Sequence, residues 1–412
     1  MRLVAVVKVL YTTPLCRSRP VPLYIMSSFP RLRSMLLVVL LLSWAGLAQA
    51  QEAYVPPYGP EWATRSATEA GFDAERLAAA VERARAAASD LPVDLDLYIA
   101  QAFAGEPHNE IIGPTKERGP TAGIILRDGY LVAEWGESHR VDMTFSVTKS
   151  FLSATAGVAV DRGLIRDVQD PVRRYVPDEG YTSEQNRSIT WHQLLNQTSA
   201  WAGTLFGKPD WADRPTGERG RYHERELPAP GTQWEYNDVR VNQLALSLLR
   251  VFREPLPSVL RRAVMDPIGA SRTWQWHGYE NAWVRVDGQH MQSVSGGGHW
   301  GGGMFISARD LARFGLLTLR RGRWGDTQVL SEAWVAQSLT PTAQRPTYGY
   351  MNWFLNTDQQ LLPSAPAAAF YHAGAGANIV YVDPVHDLVV VLRWIDNRQL
   401  DDIIAAVLEA MQ

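Results

Sequence analysis

Thr144-Phe145-Ser146-Val147-Thr148-Lys149-Ser150-Phe151 sets a serine three residues ahead of a lysine, at the head of an apolar run. Phe151, Leu152, Ala154, Ala156, Val158 and Ala159 recur at helical spacing and the run stops at Gly163. That pattern predicts a helix from about Ser146 to Arg162. Positions three apart share a helix face, so the Lys149 amine can lie against the Ser146 hydroxyl. The serine also stands at the partially positive end of the helix, where developing negative charge is favoured. A hydroxyl there, with an amine one turn on, is the layout of an activated nucleophile. A serine cap followed by an exposed lysine is the other reading of the same letters. Two facts favour the first. Lysine occurs only at 8, 116, 149 and 208 in a chain that otherwise uses arginine, and there is no second Ser-x-x-Lys.

Working outward, two hairpins frame the chain. Gly123 to Leu126 and Tyr130 to Ala133 flank Asp128-Gly129, a favoured two-residue turn. Asn378 to Val382 and Leu388 to Trp394 flank a turn around Pro384-Val385-His386-Asp387. Between and around them lie predicted helices at about Asp73 to Ala88, Val239 to Phe252, Ala308 to Leu319 (opened by Ser307) and Leu400 to Met411. Thr190 with Gln193 reads as a capping box, and Asp170-Pro171 as a cap with a proline in the first turn. Strands at both ends with mainly helices between them predict an α/β fold of the α+β kind. Its antiparallel sheet is built from the two ends and flanked by helices, with a mainly helical insertion from about 165 to 305. Residues 89–120 carry proline and glycine and show no readable role. Eight of the fifteen tryptophans fall between Trp191 and Trp300; about half are expected in the core and the rest along a cleft.

The 412 residues carry a net charge of -3, and the first fifty hold Arg2, Lys8, Arg17, Arg19, Arg31 and Arg33 with no acid. Without those six cations the remainder carries -9, which argues against nucleic acid or an anionic membrane surface as partner. Arg31 and Arg33 precede the apolar run from Met35 to Leu42, and Ala48-Gln49-Ala50 follows. This is the order of a signal peptide, with cleavage expected after Ala50, and the run is short for a membrane span. Residues 1–25 read as an upstream extension ahead of Met26. The only cysteine, Cys16, lies there, so the expected mature chain, 51–412, has no disulfide and no thiolate metal site. Export without cysteine is the pattern of a bacterial periplasmic or secreted protein.

A serine nucleophile needs a proton acceptor and an oxyanion site. No G-x-S-x-G elbow, H-E-x-x-H or His/Asp cluster at metal spacing occurs, and neither metal nor cofactor is expected. The candidate partner is Tyr236 in Pro230-Gly231-Thr232-Gln233-Trp234-Glu235-Tyr236-Asn237-Asp238. A phenol held among cations can lose its proton and act as a base, with Lys149 as the nearby cation; a buried tyrosine with a satisfied hydroxyl is the alternative. Asp238 can also serve simply as the cap of the following helix. A third stretch, Tyr371-His372-Ala373-Gly374-Ala375-Gly376-Ala377, leads into a strand with residues small enough for close backbone approach.

In this order the three stretches resemble the penicillin-recognising serine hydrolases, in particular their class C β-lactamase-like branch. That branch includes esterases, D-aminopeptidases, D,D-carboxypeptidases and 6-aminohexanoate-dimer hydrolases, and shows Ser-x-x-Lys, Tyr-x-Asn and then Lys-Thr-Gly or His-Thr-Gly. Ile189 to Ser199, Pro267-Ile268-Gly269 and Gly301 to Asp310 support the resemblance, which runs from about 120 to 395. It implies Ser146 as the acylated nucleophile, with Lys149 and Tyr236 sharing general-base work. The backbone N–H groups of Ser146 and Ala375 would form the oxyanion hole, and His372 would stand beside the pocket. Two departures matter: Asp238 replaces an asparagine, and Ala373 replaces the threonine that helps hold a substrate carboxylate. Both are expected to weaken recognition of an anionic substrate end, lowering β-lactamase and carboxypeptidase and raising esterase or amidase. The expected substrate is a small ester, amide or peptide. A D,D-carboxypeptidase or weak β-lactamase is the alternative enzyme, and a non-catalytic peptidoglycan- or peptide-binding protein the alternative outside enzymes.

Overall fold

The structure, a computed structural model, describes residues 54–177 and 179–412. The expected signal peptide and its cleavage point fall outside the described residues.

The two hairpins form and meet. Strands β1 (Ala122–Arg127) and β2 (Tyr130–Trp135) come from the front of the chain. The main sheet takes four more from the back, β7 (Phe354–Leu355), β8 (Phe370–Gly374), β9 (Asn378–Asp383) and β10 (Leu388–Arg393). Their order is β7-β8-β9-β10-β1-β2, antiparallel throughout. Alternate residues point to opposite faces of a strand, and here both faces are buried. Ile124, Leu126, Val380, Val382, Val389 and Val391 face a core shared with Leu311 and Phe314 of helix α5 (Ala308–Leu319). Ile125, Ile379, Tyr381, Val390 and Leu392 face helices α1 (Ala74–Ala86) and α6 (Leu400–Glu409), through Leu77, Ala80, Ile403, Ile404 and Val407. The result is a sheet between two layers of helix.

The insertion carries helix α4 (Asp238–Phe252) and shorter helical turns. It also holds a hairpin, β4 (Gln275–Val286) and β5 (Gln289–Val294), turned at Asp287-Gly288. With β3 (Asp142–Met143) and β6 (Gly303–Ile306) this makes a second sheet in the order β3-β6-β4-β5, which the periodicity did not reveal. Thr190 and Gln193 form the capping box, whereas Asp170 bonds to Arg174 and Tyr175 instead of capping.

The predicted helix at 146 begins later than its periodicity implies. Phe145–Val147 form a 3-10 turn, and the α-helix α3 runs Thr148–Asp161. Phe145 has φ +47°, a conformation that non-glycine residues rarely adopt and that marks a chain held by its surroundings. Among the described residues, no helix is long and apolar enough to cross a membrane.

Candidate active site

From Asp142 to Ala159 every residue is buried except Ser146. The fold thus drives helix α3 through the core and leaves one hydroxyl accessible at its head. Lys149, 0 % exposed, donates from Nζ to Ser146 Oγ at 2.9 Å and to Asp238 Oδ1 at 2.7 Å. Tyr236 sits half-buried beside them, its ring 4.6 Å from Lys149 Nζ. Its hydroxyl donates to Asn352 Oδ1 at 3.2 Å and faces the Ser146 side chain. Asn237, not Asp238, caps helix α4, accepting from Arg240 N at 3.1 Å. Gln197 fixes this stretch from outside: its Oε1 accepts from Asn237 N at 2.8 Å and its carbonyl from Glu235 N at 3.0 Å.

Two sequence-based expectations change here. Burial, and then the Asp238 carboxylate, push the Tyr236 phenol above its ordinary pKa, against Arg214 and the Ser146 side chain. The free protein therefore holds a neutral phenol, because Lys149 lies over the ring and gives its hydrogen bonds to Ser146 and Asp238. Asp238 does not stand at the mouth as an unpaired charge. It is 1 % exposed, with Oδ1 on Lys149 and Oδ2 3.0 Å from Arg214 Nη1. Burial works against its ionised form, but Lys149, Arg214 and His299 outweigh it and hold the carboxyl well below its usual range. An anion near the cleft meets a compensated ion pair at Asp238, not a free negative charge.

Behind Asp238 the pairing continues. Arg214 Nη1 also bonds to Asp213 Oδ1, and Asp213 Oδ2 accepts from the backbone N of Asp238. Burial raises the Asp213 pKa, with Arg214 and His299 opposing. His299 Nε2 lies 2.6 Å from Glu106 Oε2, while its buried Nδ1, without a hydrogen bond, faces Asp238 Oδ2 at 3.9 Å. Glu106 Oε1 accepts from Arg214 N at 3.0 Å. Glu106, Asp213 and His299 offer ligand atoms within 4.8 Å of one another, which spacing in the sequence did not show. Arg214 already holds both acids of that set and Glu106 already holds the imidazole, so these donors are committed to each other.

Glycine is required over this cluster. A Cβ at Gly297 would collide with Asp238 Oδ1 and Lys149 Nζ, so only a bare backbone can cover the pair. The run Gly296-Gly297-Gly298 is the sequence signal of this cover and lies outside the three motifs. The segment 89–120 also gains a role. Helix α2 (Leu95–Ala102) delivers Phe103, whose ring packs at a tilt with its centre 3.7 Å from that of His299, and then Glu106.

On the other side strand β8 approaches the serine. A Cβ at Gly374 would collide with the Thr144 carbonyl and come within 3.2 Å of Ser146 N, which sets the start of Ala375 close to the nucleophile. His372 does not face the pocket. Strand alternation puts it on the same face as Phe370, fully buried against Phe314, Trp353 and Phe370. Neither ring nitrogen makes a well-formed hydrogen bond. Burial lowers its pKa to about 3, and the Asn352 backbone opposes that only in part. Asn352, at φ +68°, instead links Tyr236 to the strand, because its Nδ2 donates to the Ala373 carbonyl. This asparagine lies outside every motif of the sequence.

The tryptophans of the insertion are mostly core: Trp191, Trp201, Trp274, Trp276 and Trp300 are buried, while Trp283 is exposed on its hairpin. Trp234 packs on Tyr236 and Tyr348. Trp211 lines a cavity of about 320 Å3 with Glu106, Tyr222 and His223. A cavity of about 420 Å3 around His192 and Asn196 lies apart from Ser146.

Residues 121–400 match the family described as Beta-lactamase. Among solved structures the fold is similar to a family VIII carboxylesterase, at 17 % identity and TM-score 0.54 over 83 % of this chain and 99 % of that one. It is also similar to a penicillin-binding protein homologue from Caulobacter crescentus, at 14 % identity and TM-score 0.53 over 82 % and 98 %. A beta-lactamase from Mycobacterium bovis matches at 20 % identity and TM-score 0.50 over 76 % and 97 %. At these identities the likeness is one of fold.

Proposed function

Since the chain belongs to the beta-lactamase family, we propose that it is a serine hydrolase cleaving an ester or amide through an acyl-enzyme on Ser146, in the esterase-like branch. The observation that carries this is the single accessible hydroxyl of a buried helix head, 2.9 Å from the fully buried Lys149 Nζ.

In this reading Lys149 first releases the proton of its resting ammonium to solvent; Ser146 Oγ then attacks the carbonyl carbon as its own proton passes to the Lys149 amine. The Asp238 carboxylate stabilises the ammonium that this step creates. The backbone N–H groups of Ser146 and Ala375 receive the oxyanion. Tyr236, a neutral phenol beside Ser146, gives its proton to the leaving group and regains one from Lys149. Water then enters against the acyl-enzyme with the two groups used in the opposite sense. The chain's export to the periplasm or medium belongs to the same proposal.

Incubation with a fluorophosphonate probe tests it. The wild type becomes labelled at Ser146 and Ser146→Ala does not, with ester hydrolysis lost by more than about a thousandfold and the fold unchanged. A label elsewhere, or residual turnover within tenfold, places the nucleophile at another residue.

A further inference from the structure

We propose that Arg214 gives this site an anion-binding edge, so that its preferred substrates carry a carboxylate. The inference rests on the serine hydrolase reading and reverses the preference for neutral esters that the bare sequence implied.

The guanidinium is divided between an inner and an outer side. Nη1 points inward and serves both Asp213 Oδ1 and Asp238 Oδ2. Among the described residues nothing accepts from Nε or Nη2. Those two form the side edge of the guanidinium, whose parallel N–H groups match a carboxylate in a two-point bond. The edge is also placed for use. The Arg214 side chain is 37 % exposed, whereas Asp213 is 0 % and Asp238 1 %. The cluster's cation therefore reaches solvent, and its two paired carboxylates do not. The guanidinium lies 5.0 Å from the centre of the Tyr236 ring and 6.0 Å from that of Phe103. It is thereby held on one side of the phenol that faces Ser146. Arg214 has φ +48°, and Glu106 grips its backbone N. A non-glycine residue kept in that conformation by a half-buried acid is positioned, not loosely tethered. Burial works against its charge, but the Asp213 and Asp238 carboxylates outweigh it and keep the group cationic.

The test uses matched esters that differ only in charge, with the carboxylate on either side of the scissile bond. Mono-4-nitrophenyl adipate is compared with 4-nitrophenyl hexanoate, and 4-carboxyphenyl butyrate with phenyl butyrate. In at least one pair the wild type favours the anionic ester by about tenfold to a hundredfold in kcat/KM, the scale of a charge-assisted bond, mostly through KM. Arg214→Gln brings that ratio near one. The same change removes a partner from Asp238, which lowers turnover of both members together and leaves the ratio as the readout of recognition. Arg214→Lys keeps the charge beside Asp238 and loses the flat edge, so the anionic-to-neutral ratio falls toward one in this variant too, whatever common change in turnover accompanies it. A ratio unmoved by Arg214→Gln, or a wild type that favours the neutral member of both pairs, overturns the inference and leaves the hydrolase standing. Turnover of neither ester, together with no fluorophosphonate label, overturns the hydrolase reading and this inference with it.

Discussion

One flank of Ser146 is built from Asp213, Arg214, Asp238 and His299, the other from strand β8, and both bury titratable side chains, all of those named but Arg214 completely. On the first flank every charge has a counter-charge: Lys149 meets Asp238, Asp238 meets Arg214, and Arg214 meets Asp213. On the second, His372 meets Phe314, Trp353 and Phe370. The difference teaches what each flank does. A buried ion survives only where partners replace its water, so the first flank can hold charge ready beside the serine. The second keeps a neutral ring as packing, and its contribution is the backbone that Gly374 lets approach Ser146 N.

The sharpest way to break this contrast is to remove one partner from the paired flank. Lys149→Ala leaves the Asp238 carboxylate buried with one cation fewer. A buried pair broken this way is expected to lose about 3–5 kcal/mol of stability, together with all turnover. Lys149→Arg should recover part of the stability, because the charge remains, and none of the turnover, because a guanidinium does not give up its proton. Denaturant unfolding and ester hydrolysis read the two effects separately. Recovery of turnover by arginine would reduce Lys149 to an electrostatic support.

A smaller effect is expected from Gly297→Ala. The added methyl meets Asp238 Oδ1 and Lys149 Nζ and must push the pair apart or lift the loop. Overpacking of this kind is worth about 1–3 kcal/mol, but the geometry at Ser146 shifts with it, so turnover should fall by more than stability predicts. A variant with ordinary activity would show that the loop moves freely and does not clamp the pair.

How far the two flanks were legible follows from where their parts lie in the chain. Ser146 and Lys149 are one helical turn apart, and both hairpins of the main sheet announce themselves by alternation and turn residues. Each is a short-range pattern. Asp238 was readable as a letter but not as an environment, since Arg214 and His299 reach it, and Glu106 holds both of them, from three loops that only the fold assembles. The same separation hid Asn352. His372 is different, because its orientation was available: in Phe370-Tyr371-His372 the first and third residues share a strand face, and the first is an apolar aromatic. The family's motif pointed that ring toward the pocket; the period of the strand pointed it into the core.

The unpaired flank answers to pH. Burial lowers the His372 pKa to about 3, against about 6.5 for an unperturbed histidine. Between those values the unfolded chain takes up a proton that the folded one refuses, so stability is complete above about pH 6.5 and drains away as pH falls. At pH 4.5 the loss from this one ring is about 2–3 kcal/mol. Asp238 does not contribute in that window. Its pKa is depressed, so its stabilisation is present above the ordinary carboxylate range and disappears only at lower pH. His372→Phe should therefore match or exceed the wild type at pH 7.5, where two unbonded ring nitrogens have been replaced by carbon. Its stability should then fall more slowly toward pH 4.5, by about the same 2–3 kcal/mol. Other groups titrate in both proteins, and the difference between their denaturant midpoints across pH isolates residue 372. Parallel curves would mean that the folded protein protonates His372 as readily as the unfolded chain does, and the contrast between a paired and an unpaired flank would be lost.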